Sequence, residues 1–227
     1  MHIWDLTQPL SPSMPHWPGD PETRFERATD YSTHAYRLHR LCLGEHSGTH
    51  FGAARHFLQG GRSTADYPAE ELILEAAVLH VETVCRTDPD HLVTLDEIRR
   101  LEESSGSLAA GSLLLVSTGW AAFWTQPERY LGSGRMRFPG VSIEAAQYLV
   151  DVRRIRGLGI DTAGVDGGLS MRYPVNRLLC EKELFHLENV ARLDALPDRG
   201  VTVFIGVLPI SGGCGSPCRV IAVSQDF

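Results

Sequence analysis

Lysine is nearly missing from this sequence: Lys182 is the only one in 227 residues, and the other basic residues are arginines. With 28 acidic residues against 21 basic ones and a formal charge of -7, there is no basic footprint for nucleic acid or an anionic membrane surface. No apolar run approaches the roughly 20 residues that span a bilayer, and the start "MHIWDLTQPL" has neither a basic n-region nor an apolar h-region. These absences predict a cytoplasmic protein with no nucleic-acid partner and no membrane partner. Cysteine is sparse, odd in number and irregularly spaced (Cys42, Cys85, Cys180, Cys214, Cys218), which excludes a disulfide framework and suits a reducing compartment. Internal repeats, low-complexity tracts and long linkers are absent as well. The remaining composition, 43% hydrophobic and 22% charged, predicts one globular domain over residues 1–227 with room for a small-molecule site.

Proline is concentrated near the beginning, where Pro9, Pro12, Pro15, Pro18 and Pro21 recur every third residue. That spacing forbids a helix and favours an extended arm or loop, in which Trp17 is either a buried anchor or a wall of a site. Further on, "AYRLHRLCLG", "AAVLHV", "SLLLVSTGW", "GLGI", "VTVFIGVLPI" and "CRVIAVSQ" are strand candidates. His80 in the second of them is expected in the core or at a sheet edge. "TLDEIRRLEESSG" opens as a helix, with Thr94 as cap and Glu97 three residues on, and "SIEAAQYLVDVRRI" is an amphipathic helix opened by Ser142. Strands alternating with helices point to an α/β fold.

The stretch "HSGTHFGAARHF" places His46, His50 and His56 within eleven positions. Gly48 and Gly52 argue against a regular helix here, so the stretch reads as a loop running into a short helix. Neutral imidazoles bind metals, and a catalytic zinc site takes three protein ligands and leaves one position open. His46 and His50 would be a pair needing a third ligand from elsewhere. Cys214 and Cys218 read as small buried thiols, with a nucleophilic Cys214 as the alternative, and Asp161 either caps a turn or faces the site. The glycine-rich stretches "GVDGG" and "SGGCG" lack a phosphate-binding fingerprint, so no nucleotide cofactor is expected.

Taken in order, "DLTQPLSPSMPHWPGDP", "EHSGTHFGAARHF", "LLLVSTGW", "GIDTAGVD", "LFHLENV" and "SGGCGSPCRVIAV" resemble the cyclase family that includes bacterial kynurenine formamidase and isatin hydrolase. The resemblance implies a swivelling β/β/α fold, a homodimer or homotetramer, and metal-dependent hydrolysis of an amide or related carbonyl compound. The family motif H-x-G-T-H-x-D-x-P-x-H is kept at His46, Gly48, Thr49, His50 and His56. By the same resemblance, His46, His50 and Glu188 would hold a metal, His56 would shuttle protons, and Trp17 would line the substrate pocket.

Departures from the motif shape the remaining expectations. Gly52 stands where the family has its aspartate, Ala54 where it has proline, and Asn176 where dinuclear members have a further histidine. A dinuclear site is therefore excluded, leaving one divalent metal, zinc or manganese, on His46, His50 and Glu188, or none. With a metal, the expected reaction is hydrolysis or ring opening of an amide or lactone in a small-molecule substrate, with His56 as general acid/base. Without one, His56, His50 and Glu188 would be a proton-transfer set for a metal-independent cyclase, dehydratase or isomerase of specialised metabolism. A third alternative is a catalytically silent ligand-binding member. The missing aspartate argues against ordinary formamidase activity. The small residues at Gly52 and Ala54 predict an enlarged substrate pocket there, with Gly52 and Asn176 joining Trp17 in binding substrate.

Overall fold

A computed structural model of the protein describes residues 1–224. In chain order its strands are β1 (His2–Asp5), β2 (Arg24–Thr29), β3 (Leu38–Cys42), β4 (His50–Gly52), β5 (Ile73–His80) and β6 (Leu92–Val93). They continue with β7 (Leu113–Ser117), β8 (Gly140–Val141), β9 (Gly157–Ile160), β10 (Phe185–Glu188), β11 (Val201–Val207) and β12 (Gly215–Ser224). β12, β11, β5, β7, β9, β10 and β4 pair in that order, and β4 pairs back onto β12, so that seven strands close into a barrel-like ring. β1 extends the sheet along β12, with Asp5 opposite Ile221. β5, β7, β9 and β10 run parallel, while β11, β12 and β4 are antiparallel to their neighbours. The α/β class expected from the alternation of strands and helices is the class observed.

The central parallel strands β7 and β9 are buried along their whole length and apolar but for Ser117, because both of their faces are covered. In β7, Leu113 and Leu115 point into the ring with Phe51, Phe185, Leu187 and Val203. Leu114 and Val116 point outward against Ile98 and Leu101 of helix Leu95–Ser105 and Ala145 and Ala146 of helix Ile143–Gln147. Two glycines of β9 make room in the ring: a side chain on Gly157 would overlap the Phe185 ring, and one on Gly159 would overlap Leu115. Thr94 and Glu97 form the expected capping box, and Ser142 accepts from the Ala145 N–H. His80 closes β5 at the sheet end, its Nδ1 2.9 Å from Glu82 Oε1. Among the described residues, no helix is long and apolar enough to cross a membrane.

Three segments differ from expectation. The middle of the histidine stretch is a strand, because Gly48, at φ +64°, turns the chain so that His50–Gly52 docks between β10 and β12; only Ala54–His56 is helical, as a 3-10 turn. Strand β10 has no sequence signal beyond four residues of alternating polarity. β12 starts three residues before Cys218, and the expected strand "CRVIAVSQ" ends at Gln225, outside the described residues.

Gly157→Ala forces a methyl group into the Phe185 ring, so it is expected to lower the unfolding free energy by about 1–3 kcal/mol in urea titration. An unchanged midpoint would show that the ring has space to spare at this point.

Candidate active site

Side chains alternate along β4 and β10, so Phe51 and Phe185 stack inside the ring at 4.7 Å between centroids while their neighbours face outward. Outward from β4 come His50 and Gly52, and outward from β10 come His186 and Glu188. Glu188 is the register partner of His50, His186 that of Gly52, and on the other side of β4 Gly215 pairs with Gly52. A side chain on Gly52 would overlap the His186 imidazole, and one on Gly215 would meet the His46 ring. Two adjacent bare α-carbons thus carry two imidazoles.

Donor nitrogens of His46, His50 and His186 all lie within 4.8 Å of one another. Nδ1 of His46, Nε2 of His50 and Nδ1 of His186 are buried without a hydrogen-bond partner. Since a carbonyl can only accept, Nδ1–H of His50 donates to Gly48 O at 2.9 Å, which leaves a lone pair on Nε2. That lone pair lies 3.2 Å from Glu188 Oε2, an opposition of two acceptors that a cation or a shared proton would relieve.

Burial, reinforced by the other imidazoles, lowers the His46 pKa to about 2. Burial likewise takes His186 down to about 4, against the pull of Glu188. Burial works to raise the Glu188 carboxyl, but His186, His50 and the Val165 N–H outweigh it and hold the group at about 2. The site is thus a set of neutral nitrogen donors beside one carboxylate. His56 stacks on His46 at 3.9 Å between centroids. Its ring is open to solvent at one edge, and partial burial lowers its pKa from the ordinary histidine value.

Groups behind the histidines fix their orientation. Asn189 Nδ2 donates to Gly48 O at 2.8 Å, beside the His50 bond to the same oxygen. The Tyr130 hydroxyl lies 2.8 Å from Asn189 Oδ1 and 2.9 Å from the Asp161 carbonyl. Asp161 itself accepts from Thr118 N–H at 3.0 Å and Thr118 Oγ1 at 2.6 Å, so it caps the turn after β7, and burial raises its carboxyl to about 6. Cys214 sits behind His46, with Sγ 3.5 Å from Nε2. Its thiol donates to Glu45 Oε2 at 2.7 Å, and burial with that carboxylate raises its pKa to about 12, which argues against a nucleophilic thiolate.

A cavity of about 260 Å³ opens over His46, His50, His56 and Glu188. One wall is aromatic: Trp17 meets Phe138 and Tyr173 edge-on at 6.2 and 6.0 Å. The Asn176 side chain reaches the cavity with its amide oxygen buried and unpartnered. Asp166 holds the start of helix Pro174–Glu181, accepting from Val175 N–H at 2.7 Å and Asn176 N–H at 2.9 Å. Asp20, from the proline-rich arm, also lines the cavity, and burial raises its carboxyl.

The structure therefore brings Trp17, His46, His50, His56, Asn176 and Glu188 to one cavity. Gly52 and Ala54 require a correction. His186 occupies the space over Gly52, and Ala54 is fully buried with its N–H donating to Tyr67 Oη at 3.1 Å, so neither residue enlarges the pocket. The set His46, His50, Glu188 also omits His186. Its signal was the spacing "HLE": two residues apart on a strand, His186 and Glu188 share a face. Asp20 and Asn189 carried no signal beyond residue type.

Residues 4–167 match the profile of the family described as "Putative cyclase", and the chain belongs to that family. It is 29% identical to isatin hydrolase of Roseibium aggregatum, over 98% of this chain and 92% of that one. Kynurenine formamidase of Geobacillus thermodenitrificans is 28% identical over 96% of both chains. The fold is similar to that of isatin hydrolase A from Ralstonia solanacearum, with a TM-score of 0.91 and 30% identity over 99% of this chain and 92% of the other. The chain is thus an enzyme of the cyclase family whose named relatives are hydrolases.

Asp166→Ala removes the acceptor for two buried N–H groups. It is expected to cost about 1–3 kcal/mol of stability, seen as a lowered thermal midpoint, and to weaken substrate binding through displaced Asn176. A stable variant with unaltered binding would show that the helix start needs no cap.

Proposed function

We propose that this enzyme hydrolyses an amide bond in a small aromatic carbonyl compound, with opening of a cyclic amide as the leading case. The observation that carries the reading is the convergence of three imidazoles, those of His46, His50 and His186, beside an aromatic-walled cavity with His56 at its open edge. The likeness to isatin hydrolases over nearly the whole chain supports the substrate class. The cluster fits a divalent cation, because each of these histidines offers a ring nitrogen and those nitrogens lie within 4.8 Å of one another. When bound there, a cation supplies a Lewis acid that polarises a carbonyl and lowers the pKa of water towards about 7.

The chain's own groups do the remaining work. His56, with its pKa below the ordinary value, is neutral near pH 7 and free to take a proton from the attacking water. Its position over His46 then lets it return that proton to the departing nitrogen. Trp17, backed by Phe138, and Tyr173 hold a planar ring against the wall, which excludes water from one side of the reacting carbonyl. The unpartnered amide oxygen of Asn176 is an acceptor for a substrate hydrogen bond. Glu188, its carboxyl held at about 2, remains anionic beside the imidazoles. Proton transfer by His56, His50 and Glu188 alone would leave the partnerless nitrogens unexplained.

Steady-state assays with isatin and with a linear N-formyl anilide test the reading. His56→Ala is expected to lower kcat by about 100- to 10,000-fold with KM changed little. Wild-type turnover in that variant would remove the acid/base role, and failure of the wild type on both amide classes would overturn the assignment as an amide hydrolase.

A further inference from the structure

The cluster contains an exchange between neighbouring strands. Residue 52 faces the site from β4 but has no side chain, while its register partner on β10, His186, projects an imidazole through the space a residue-52 side chain would take. His186 is 1% exposed, its Nδ1 has no partner, and its donor nitrogen converges with those of His46 and His50. A buried histidine with an empty nitrogen, placed where the neighbouring strand has given up its own group, is not accounted for by packing alone. A leucine would fill the same space without burying an unsatisfied polar atom.

We propose that His186 is the third protein ligand of the metal site, so that the ion sits on the three imidazoles of His46, His50 and His186, and that this nitrogen set selects zinc over manganese. Neutral imidazoles suit zinc, whereas manganese is better served by carboxylate and water oxygens. Gly52 and Gly215 make the arrangement possible, since either Cβ would displace an imidazole. The inference shares with the hydrolase reading only the presence of a cation. Zinc on three histidines without amide hydrolysis would sink that reading and leave this one standing.

The experiment is metal competition on the whole protein, stripped with a chelator and offered equal zinc and manganese, followed by gel filtration and elemental analysis. The expected result is about one zinc per chain, with manganese excluded. His186→Leu should lose its zinc while keeping its circular dichroism spectrum. The double variant Gly52→Asp/His186→Ala, which clears the space over residue 52 and returns a ligand to β4, should recover one ion per chain and shift its preference towards manganese. Because a buried substitution can unfold the protein, X-ray absorption on the wild-type zinc protein provides an independent readout, expected to give about three imidazoles per zinc. Two or fewer imidazoles, full zinc retention by folded His186→Leu, or preferential manganese uptake by the wild type would each overturn the proposal.

Discussion

Two facing α-carbons without side chains, those of Gly52 and Gly215, are what the rest of the site depends on. They are register partners across β4 and β12, and His186 and His46 lie directly over them. The pairing cannot shift by one residue without turning Phe51 out of the ring and His50 into it. Phe51 is held against Phe185 and Tyr67 on the inner face, so barrel packing sets the outward direction of His50 and Gly52. The polar site is in this sense a consequence of the apolar interior. The short strand β4 transmits the constraint because it is paired on both sides.

Burial then decides what the imidazoles are. In water each would be partly protonated near neutral pH; here the cost of desolvating a charge keeps His46 and His186 uncharged. The same burial would neutralise Glu188 if the surrounding imidazoles and the Val165 N–H did not favour its anion more strongly. Orientation comes from farther back, through Gly48 O, Asn189, Tyr130 and Asp161 to Thr118, a hydrogen-bonded chain that locks the tautomer of His50. The ring of His50 is therefore held by a chain of groups of which only Asn189 lines the cavity.

Much of this was legible in the sequence, and what was not has physical reasons. The helix at Leu95–Ser105 was readable because its signals are local: a capping box and an apolar stripe. His46, His50, His56 and Glu188 were readable through the family motif. Gly52 was misread because a missing side chain looks like empty space along a single strand. Whether that space is filled depends on register with β10, which comes from pairing across a large sequence separation and leaves no local trace. His186 could have been found from the two-residue alternation with Glu188, but a four-residue strand gives too short a pattern to be recognised before its neighbours are known.

One loop serves both halves of the cavity. Thr49 Oγ1 accepts from Gln8 N–H at 2.8 Å and donates to Asn189 O at 2.6 Å, while Leu10 fills the space where a Gly48 side chain would stand. These contacts fasten the start of the proline-rich arm to the turn that positions His50. From that anchor the arm, unable to become helical, extends to bring Trp17 and Asp20 over the histidines. The aromatic wall and the donor cluster therefore have a common mechanical support. A substitution at Gly48 or Thr49 would disturb substrate placement and histidine orientation together, even though neither residue lines the cavity. This gives the retained G-T of the motif a structural reason: it joins the part that binds to the part that reacts.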